Sequence, residues 1–329
     1  MIIGAHDTRE RVLIVAEIGN NHEGDPARAR RLIDDAAAAG ADAVKFQTIA
    51  PERLVAADQR ERLAQLRRFQ FGRADFEALA AHARQAGVMF LSTPFDIAAI
   101  DWLDPLVPAY KVASGDNDFL PLFDRIAATG KPVMISLGFG GHARAADIVG
   151  YFRSAWRARG VSDPGIALLH CVAKYPTPPE RADLGAIRRL AIPGVTVGYS
   201  DHTLGIKAVE LAVAAGARIV EKHFTLDKNL SAFRDHQLSA DPAELRALVE
   251  AVRQAERMCA EAAEDHDLAA RRSIAAGRDV PAGAVLSIDD LMWIRPGTGF
   301  RPGEEARVVG RRARAAIACG SLIGPDDLA

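Results

Sequence analysis

Two short runs in the second half of the chain combine residue types suited to metal or acid–base chemistry. Ser200-Asp201-His202 follows an alternating stretch in which Val195, Val197 and Tyr199 are apolar, and Glu221-Lys222-His223 ends a second short apolar run. Between them a helical pattern extends from Ile206 to Ala215 and stops at Gly216. Strand, helix and strand in that order put both histidines at the C-terminal ends of successive parallel strands, where α/β folds gather their chemistry. Other strand ends are polar too: Glu17 with Asn20, Asn21, His22 and Glu23; Lys45 and Gln47; Ser92 and Thr93; Lys111 and Ser114; Ser136; His170 and Tyr175. Alternation along a strand puts Lys45 and Gln47 on one face, and Glu221 and His223 likewise. Burying an ionised group unpaired costs several kcal/mol. A ring of such groups at one end of a fold therefore argues for an active site.

Several chemistries fit these residues. His202 and His223 could share a labile Lewis-acid ion such as Mn2+ through neutral imidazoles. Alternatively each could donate to a carboxylate, with Asp201 and Glu221 the obvious partners. Cys171 could join them, although a lone buried cysteine is usually inert core. Lys45 and Lys111, among the hydroxyls of Thr93, Ser114, Ser136 and Ser200, make a cradle for phosphate or carboxylate. Either lysine could instead be a Schiff-base nucleophile. His22 sits in the polar loop after the first strand, open to ligand or not. His82, His142 and His266 fall on helix or loop patterns and are expected in solvent. Lysine occurs only at positions 45, 111, 131, 174, 207, 222 and 228 of a chain whose cations are mostly arginine, which hints that lysine is kept where a compact ammonium is needed.

The elements that must position these groups repeat. Strand patterns at Arg11–Glu17, Asp42–Gln47, Val88–Ser92, Ala109–Ala113, Pro132–Leu137, Ile166–His170, Val195–Tyr199 and Arg218–Glu221 are each followed by a helical pattern. Among these are Ala27–Ala39, Ala74–Gln85, Ile97–Trp102, Leu120–Thr129 and Ala143–Ala158. The long polar stretch Thr48–Arg73 reads as an excursion with short helices. Eight alternating units argue for a (β/α)8 TIM barrel over a doubly wound sheet. No glycine-rich phosphate fingerprint opens the first unit. A long helix from Asp241 to about Ala263 follows, giving a barrel domain over 1–263 and a charged linker over 264–272. Residues 273–329, with short apolar runs broken by Gly and Pro-Gly, read as a small, mostly β module.

Composition sets limits. The 329 residues are 49% apolar and 26% charged with net charge −2, so no basic field suggests nucleic acid or an anionic membrane. No apolar run reaches the ~20 residues needed to span a bilayer, and the N-terminus lacks a signal-peptide pattern. Three cysteines, widely spaced and odd in number, argue against a disulfide framework and for a reducing cytoplasm.

The motifs AEIGNNHEGD, VKFQT, FLSTPFD, YKVASGD, LLHCVAKYPTP, VGYSDHTLGI and IVEKHFTLDK, taken in order, resemble those of the sialic acid synthase family. Residues 271–329, with RRSIAA, DVPAG and WIRPGTG, resemble the antifreeze-like (SAF) domain of those enzymes. The resemblance implies a metal-dependent condensation of phosphoenolpyruvate with an acylamino-sugar, giving a nonulosonic acid and phosphate. It implies His202 and His223 as metal ligands, with Mn2+ first and Mg2+ or Co2+ as substitutes. Lys45, Thr93, Lys111, Ser114, Ser136, Tyr175 and Ser200 would bind phosphoenolpyruvate; Glu17, Gln47 and Asp235 would face the sugar or the reacting carbons. Glu17, Lys45 and Lys111 are the catalytic candidates. The family implies a homodimer in which the SAF domain caps the partner's barrel and Arg295 holds the acyl-amino group there. The chain departs from the family pattern in three places. Ala173-Lys174 stand where Asn is usual, which would add a cation near the phosphate set. Leu137 and Phe139 stand in a Ser-Thr-Gly-Met motif, losing a hydroxyl. Phe233-Arg234 add bulk and charge after the eighth strand. The acceptor is therefore N-acetylmannosamine or a related diacetamido sugar. The alternatives are condensation onto a phosphorylated aldose, as in Kdo-8-phosphate synthases, and a non-catalytic glycan-binding protein.

Overall fold

The computed structural model describes residues 1–260 and 268–329. The chain divides into two compact units, Met1–Ala260 and Glu261–Ala329. The first contains eight strands: β1 Leu13–Gly19, β2 Ala43–Thr48, β3 Met89–Pro94, β4 Tyr110–Val112, β5 Val133–Ser136, β6 Ile166–Cys171, β7 Val195–Asp201 and β8 Ile219–His223. They form one parallel sheet in the order β3-β2-β1-β8-β7-β6-β5-β4. The pairing of β8 with β1, which sets His223 opposite Glu17, wraps the sheet round on itself. This is the expected TIM barrel.

Period-two alternation sorts the strand residues between two cores. Leu13, Val15, Leu91, Met134, Leu169 and Ile219 pack together inside the barrel. Ile14, Val44, Phe46, Ile135, Leu168 and Val220 pack outward with the helices. Ile3, from a small hairpin pairing Ile2–Ile3 with His6–Asp7, joins the interior cluster and closes the N-terminal end. That hairpin leaves no signal in the sequence, because two-residue strands carry no periodicity. The interior is thus apolar at the bottom, and the same alternation brings Glu17, Lys45, Thr93, Lys111, Ser136, Ser200 and Glu221 inward at the top.

The helices follow their local signals. Pro26–Ala38 starts where Asp25 accepts from the Ala27 and Arg28 amides, and it buries Ala29, Leu32, Ile33 and Ala36. The Thr48–Arg73 excursion carries helices Pro51–Leu54 and Arg60–Phe69. The expected helix Ile97–Trp102 is a 3-10 turn, Ile97–Ala99, followed by one α turn, Ile100–Leu103. The helix expected from Ala143 begins at Ala145, after the 3-10 turn Gly141–Arg144. The last barrel helix, Pro242–Cys259, is capped by Asp241. Its expected extension to 263 and the start of the 264–272 linker lie outside the described residues. No helix among the described residues is long and apolar enough to cross a membrane.

The second unit pairs β9, Ser273–Ala276, antiparallel with β10, Leu291–Ile294. Isolated bridges such as Ala275 with Leu322 and Val280 with Ile317 complete it. Ile274, Leu286, Phe300, Val308 and Ile323 form its core. Two similar turns recur, Ser287–Leu291 and Gly324–Leu328. In each, an aspartate, Asp290 or Asp327, accepts the first residue's amide, at 2.7 and 2.8 Å. Arg295 follows β10 and is exposed.

Candidate active site

The inward strand ends meet in a cavity of about 330 Å³, within the size range of small-molecule sites. Glu17, Lys45, Gln47, Thr93, Lys111, Ser114, Ser136, Tyr175, Ser200, His202, His223 and Asp235 all line it. Arg295 belongs to the second unit.

Two ammoniums and two carboxylates interlock on the floor. Lys45 Nζ lies 2.6 Å from Glu17 Oε2 and 3.7 Å from Glu221 Oε2, and donates to Thr93 Oγ1 at 2.9 Å. Lys111 Nζ donates to Ser136 Oγ at 2.7 Å and to the Val112 carbonyl at 3.0 Å, with Glu221 Oε2 at 3.9 Å. Ser200 Oγ donates to Glu221 Oε1 at 3.0 Å. All four charged side chains are almost completely buried. Burial pushes the Glu221 carboxyl up, but Lys111 and Lys45 outweigh it and bring the group down to about 2. Glu17 is pushed up, by burial first and by the neighbouring Glu221 charge, against the pull of Lys45. Burial lowers Lys111 and outweighs the pull of Glu221, 3.9 Å away, the one carboxylate within ion-pair distance among the described residues. Lys45 stays above its ordinary value because Glu17 and Glu221 overcome the same burial. Lys111 is therefore the less compensated ammonium, and the one with most to gain from an incoming anion.

The histidines form one wall. Their ring centroids are 5.5 Å apart. His202 Nδ1 is 2.8 Å from the Val172 carbonyl. A carbonyl only accepts, so Nδ1 carries the proton and Nε2 keeps a free lone pair. His223 Nδ1 is buried without a hydrogen-bond partner; Asp235 Oδ2 is 4.0 Å away. Burial lowers both imidazoles, His202 to about 4, so both are neutral at pH 7. Neutral rings with available lone pairs suit a shared cation. Among the described residues no three His, Cys, Asp or Glu side chains form a metal cluster; two imidazoles would leave other coordination positions to water and substrate. Neither ring pairs with Asp201 or Glu221. Asp201 faces outward, taking Lys222 Nζ at 2.7 Å and Tyr199 Oη at 2.9 Å.

At the mouth, Arg62 and Leu66 of the helix Arg60–Phe69 face Phe233 and Arg234 of the loop after β8. The Arg234 guanidinium lies 5.1 Å from the centre of the Tyr175 ring. Among the ionisable lining residues other than histidine, cysteine and tyrosine, Lys45, Arg62, Lys111 and Arg234 oppose Glu17, Glu221 and Asp235.

Several polar strand ends lie elsewhere. His170 pairs in register with Tyr199 on the outer face and bonds the Ala182 carbonyl at 2.7 Å. His142, expected in solvent, is 2.8 Å from His170 Nδ1. His22 is buried against Phe71, ring centroids 4.1 Å apart, and accepts from the Gly24 amide. Ser92 bonds Thr48 on the outer face. Successive strand positions point to opposite sides, so these polar strand ends face away from the cavity. His82 is half-buried and bonds Asp34; His266 lies outside the described residues. Of the departures, Leu137 packs in the outer core, so no cavity hydroxyl is lost there. Lys174 is exposed and does not line the cavity. Phe233 does, with its ring centroid 5.1 Å from that of Phe69. Asn20, a polar strand end without an assigned role, also lines the cavity.

The sequence profile of the NeuB family matches residues 32–264, and that of the SAF domain residues 271–329. An uncharacterized protein of Methanocaldococcus jannaschii is 39% identical over 93% of this chain and 91% of its own length. The N,N'-diacetyllegionaminic acid synthase of Legionella pneumophila is 35% identical over 94% and 92%. The crystal structure of N-acetylneuraminic acid synthetase from Leptospira borgpetersenii, in complex with citrate, superposes with a TM-score of 0.72 at 33% identity, covering 78% of this chain and 87% of that one. Eight parallel strands carrying the seven ordered motifs, with a SAF domain after them, place the chain in the NeuB family.

Proposed function

We propose that the protein condenses phosphoenolpyruvate with an acylamino-sugar and water, releasing a nonulosonic acid and inorganic phosphate. One observation carries the reading: Lys45, Lys111 and the hydroxyls of Thr93, Ser114, Ser136 and Ser200 line the same cavity as two neutral imidazoles. An anion cradle beside a cation wall suits an anionic nucleophile that must meet a polarised aldehyde. The ionised lining groups leave a single excess positive charge, too little alone for a multiply charged anion. A divalent ion on His202 and His223, Mn2+ in our reading, would supply the rest and act as Lewis acid toward the open-chain aldehyde.

Lys111, Ser114 and Ser136 hold the phosphoenolpyruvate anion and orient its methylene carbon. C3 of phosphoenolpyruvate bonds to C1 of the aldehyde, and the aldehyde oxygen takes up a proton. Water adds at C2, and cleavage of the C2–O bond expels phosphate. Positive charge develops at C2 beside Glu17, which stabilises it or steers the water, with Lys45 holding that carboxylate in place. Gln47 and Asp235 face the sugar. The working form is a homodimer in which Arg295 reaches the partner's acyl-amino group. Its exposure supports this, as do Phe139 and Leu204, which are 72% and 63% exposed on loops after β5 and β7.

Arg62 and Arg234 at the mouth favour a second reading, an acceptor carrying phosphate. Purified protein with Mn2+ and phosphoenolpyruvate is given neutral acylamino-sugars and phosphorylated aldoses. Phosphate release with the former is expected. Release with phosphorylated aldoses alone would replace the first reading by the second, and none with any acceptor would leave a glycan-binding protein. Sedimentation velocity tests the dimer.

A further inference from the structure

The polar groups on one side of the cavity form a chain whose hydrogen-bond polarity is fixed from one end. Glu17 Oε2 is engaged by Lys45 at 2.6 Å, and Glu17 Oε1 lies 3.0 Å from the Gln47 amide. A carboxylate beside an ammonium accepts, so Gln47 must present Nε2 to it. That turns Gln47 Oε1 toward Asn20, 2.8 Å away. Asn20 then donates through Nδ2, so the orientations of both amides follow from Glu17 accepting while Lys45 engages its other oxygen. What remains is Asn20 Oδ1. It is buried and has no hydrogen-bond partner, on a side chain that lines the cavity and is only 4% exposed. Flipping the Asn20 amide would not relieve it, since two carbonyl oxygens would then face each other at Gln47.

From this polarity chain we infer that Asn20 is a specificity-determining residue, whose Oδ1 receives a hydrogen-bond donor of the acceptor sugar. The inference rests on the condensation reading and deepens it by stating what the acceptor must present at this point. The donor is an amide N–H or a hydroxyl; an acceptor bearing a carbonyl or phosphate oxygen there is rejected, because two acceptors would face each other. Sites built to bond a donor discriminate strongly against analogues that lack it, since the protein group is left unpaired. The role belongs to sugar binding and leaves the phosphoenolpyruvate cradle alone, because Lys111, Ser136 and Ser114 share no hydrogen bond with Asn20.

The test compares wild type with Asn20→Leu and Asn20→Ala, using phosphate release and thermal unfolding. Acceptors are the turned-over acetamido sugar, its N-methylacetamido analogue lacking the N–H, and the single deoxy analogues. With the parent sugar, both variants should raise the acceptor KM about tenfold and leave the phosphoenolpyruvate KM unchanged. One analogue should lose about the same factor with wild type and show no further loss with either variant. That analogue identifies the donor, since N-methyl marks the amide and a deoxy position marks a hydroxyl. Equal losses by the variants on every acceptor, or an unchanged KM in a folded variant, would overturn the role of Asn20 while the condensation stands. Wild type releasing no phosphate with any acceptor would overturn the condensation reading and this inference with it.

Discussion

Replacing Asp201 or Lys222 tests what holds the ends of β7 and β8 together. The two side chains form a 2.7 Å ion pair, 0% and 3% exposed, at directly paired positions on neighbouring strands. Breaking a buried pair from one side costs about 3–5 kcal/mol, because the other charge is left uncompensated. The remaining partners decide where each variant falls. Without Lys222, Asp201 still accepts from Tyr199 Oη, the Thr203 amide and Thr203 Oγ1, so Lys222→Met should cost about 3 kcal/mol. With Asp201→Asn, the ammonium keeps the Thr203 carbonyl as its strong partner, and the loss should approach about 5 kcal/mol. Combining Asp201→Asn with Lys222→Met removes both charges and should be less damaging than Asp201→Asn alone, by about 2 kcal/mol. Urea unfolding followed by circular dichroism, at constant m-value, reads all three. A loss below about 1 kcal/mol for Asp201→Asn, or simple additivity in the double variant, would refute the argument that this pair is energetically coupled and holds the strand ends.

Lys111→Met should raise the phosphoenolpyruvate KM about 10–100-fold, the worth of a charge-assisted hydrogen bond, with the acceptor KM little changed in steady-state kinetics. Gly138→Ala should weaken the same ligand about tenfold, because a Cβ there would sit 2.7 Å from Ser114 Cβ and displace a cradle hydroxyl; the crystal structure of the variant would show the shift. Calorimetry should show one Mn2+ site in wild type that His202→Ala and His223→Ala each abolish, and a chelator should stop phosphate release until Mn2+ is restored. Burial lowers His22 from 6.5 to about 3. The unfolded chain therefore binds the proton first, and stability falls as pH drops below 6.5 toward 3. At pH 5 this costs about 2 kcal/mol relative to pH 8. The difference in unfolding free energy between those two pH values should shrink by about that amount in His22→Gln; an unchanged difference would refute it.

The barrel was legible because its signals are local. The strands are short and apolar, and several helices carry a capping aspartate or a glycine stop, as at Asp25, Asp241 and Gly130. The N-terminal hairpin was not, since Ile3 is placed by the hole it fills at the barrel's bottom. Among the site residues, Lys45 with Gln47 and Glu221 with His223 were readable as pairs, because alternation alone fixes a shared face. The same rule would have removed His170, Ser92 and Asp201, each one position out of phase with an inward residue. Which of the two faces turns inward is set by register between neighbouring strands, and that register comes from pairing between segments distant in the chain.

By itself the sequence determined the order of elements, the polar strand ends and, through seven ordered motifs, the family. These follow from local periodicity and residue chemistry. Only the tertiary structure decided which charges compensate one another. It set Glu221 between Lys45 and Lys111, left Lys111 the less paired ammonium, and sent Lys222 outward to Asp201. It also decided the polarity of the chain from Glu17 through Gln47 to Asn20. Electrostatic and hydrogen-bond energies depend on distances of a few ångströms between residues tens to hundreds of positions apart, and those distances exist only once the barrel has closed.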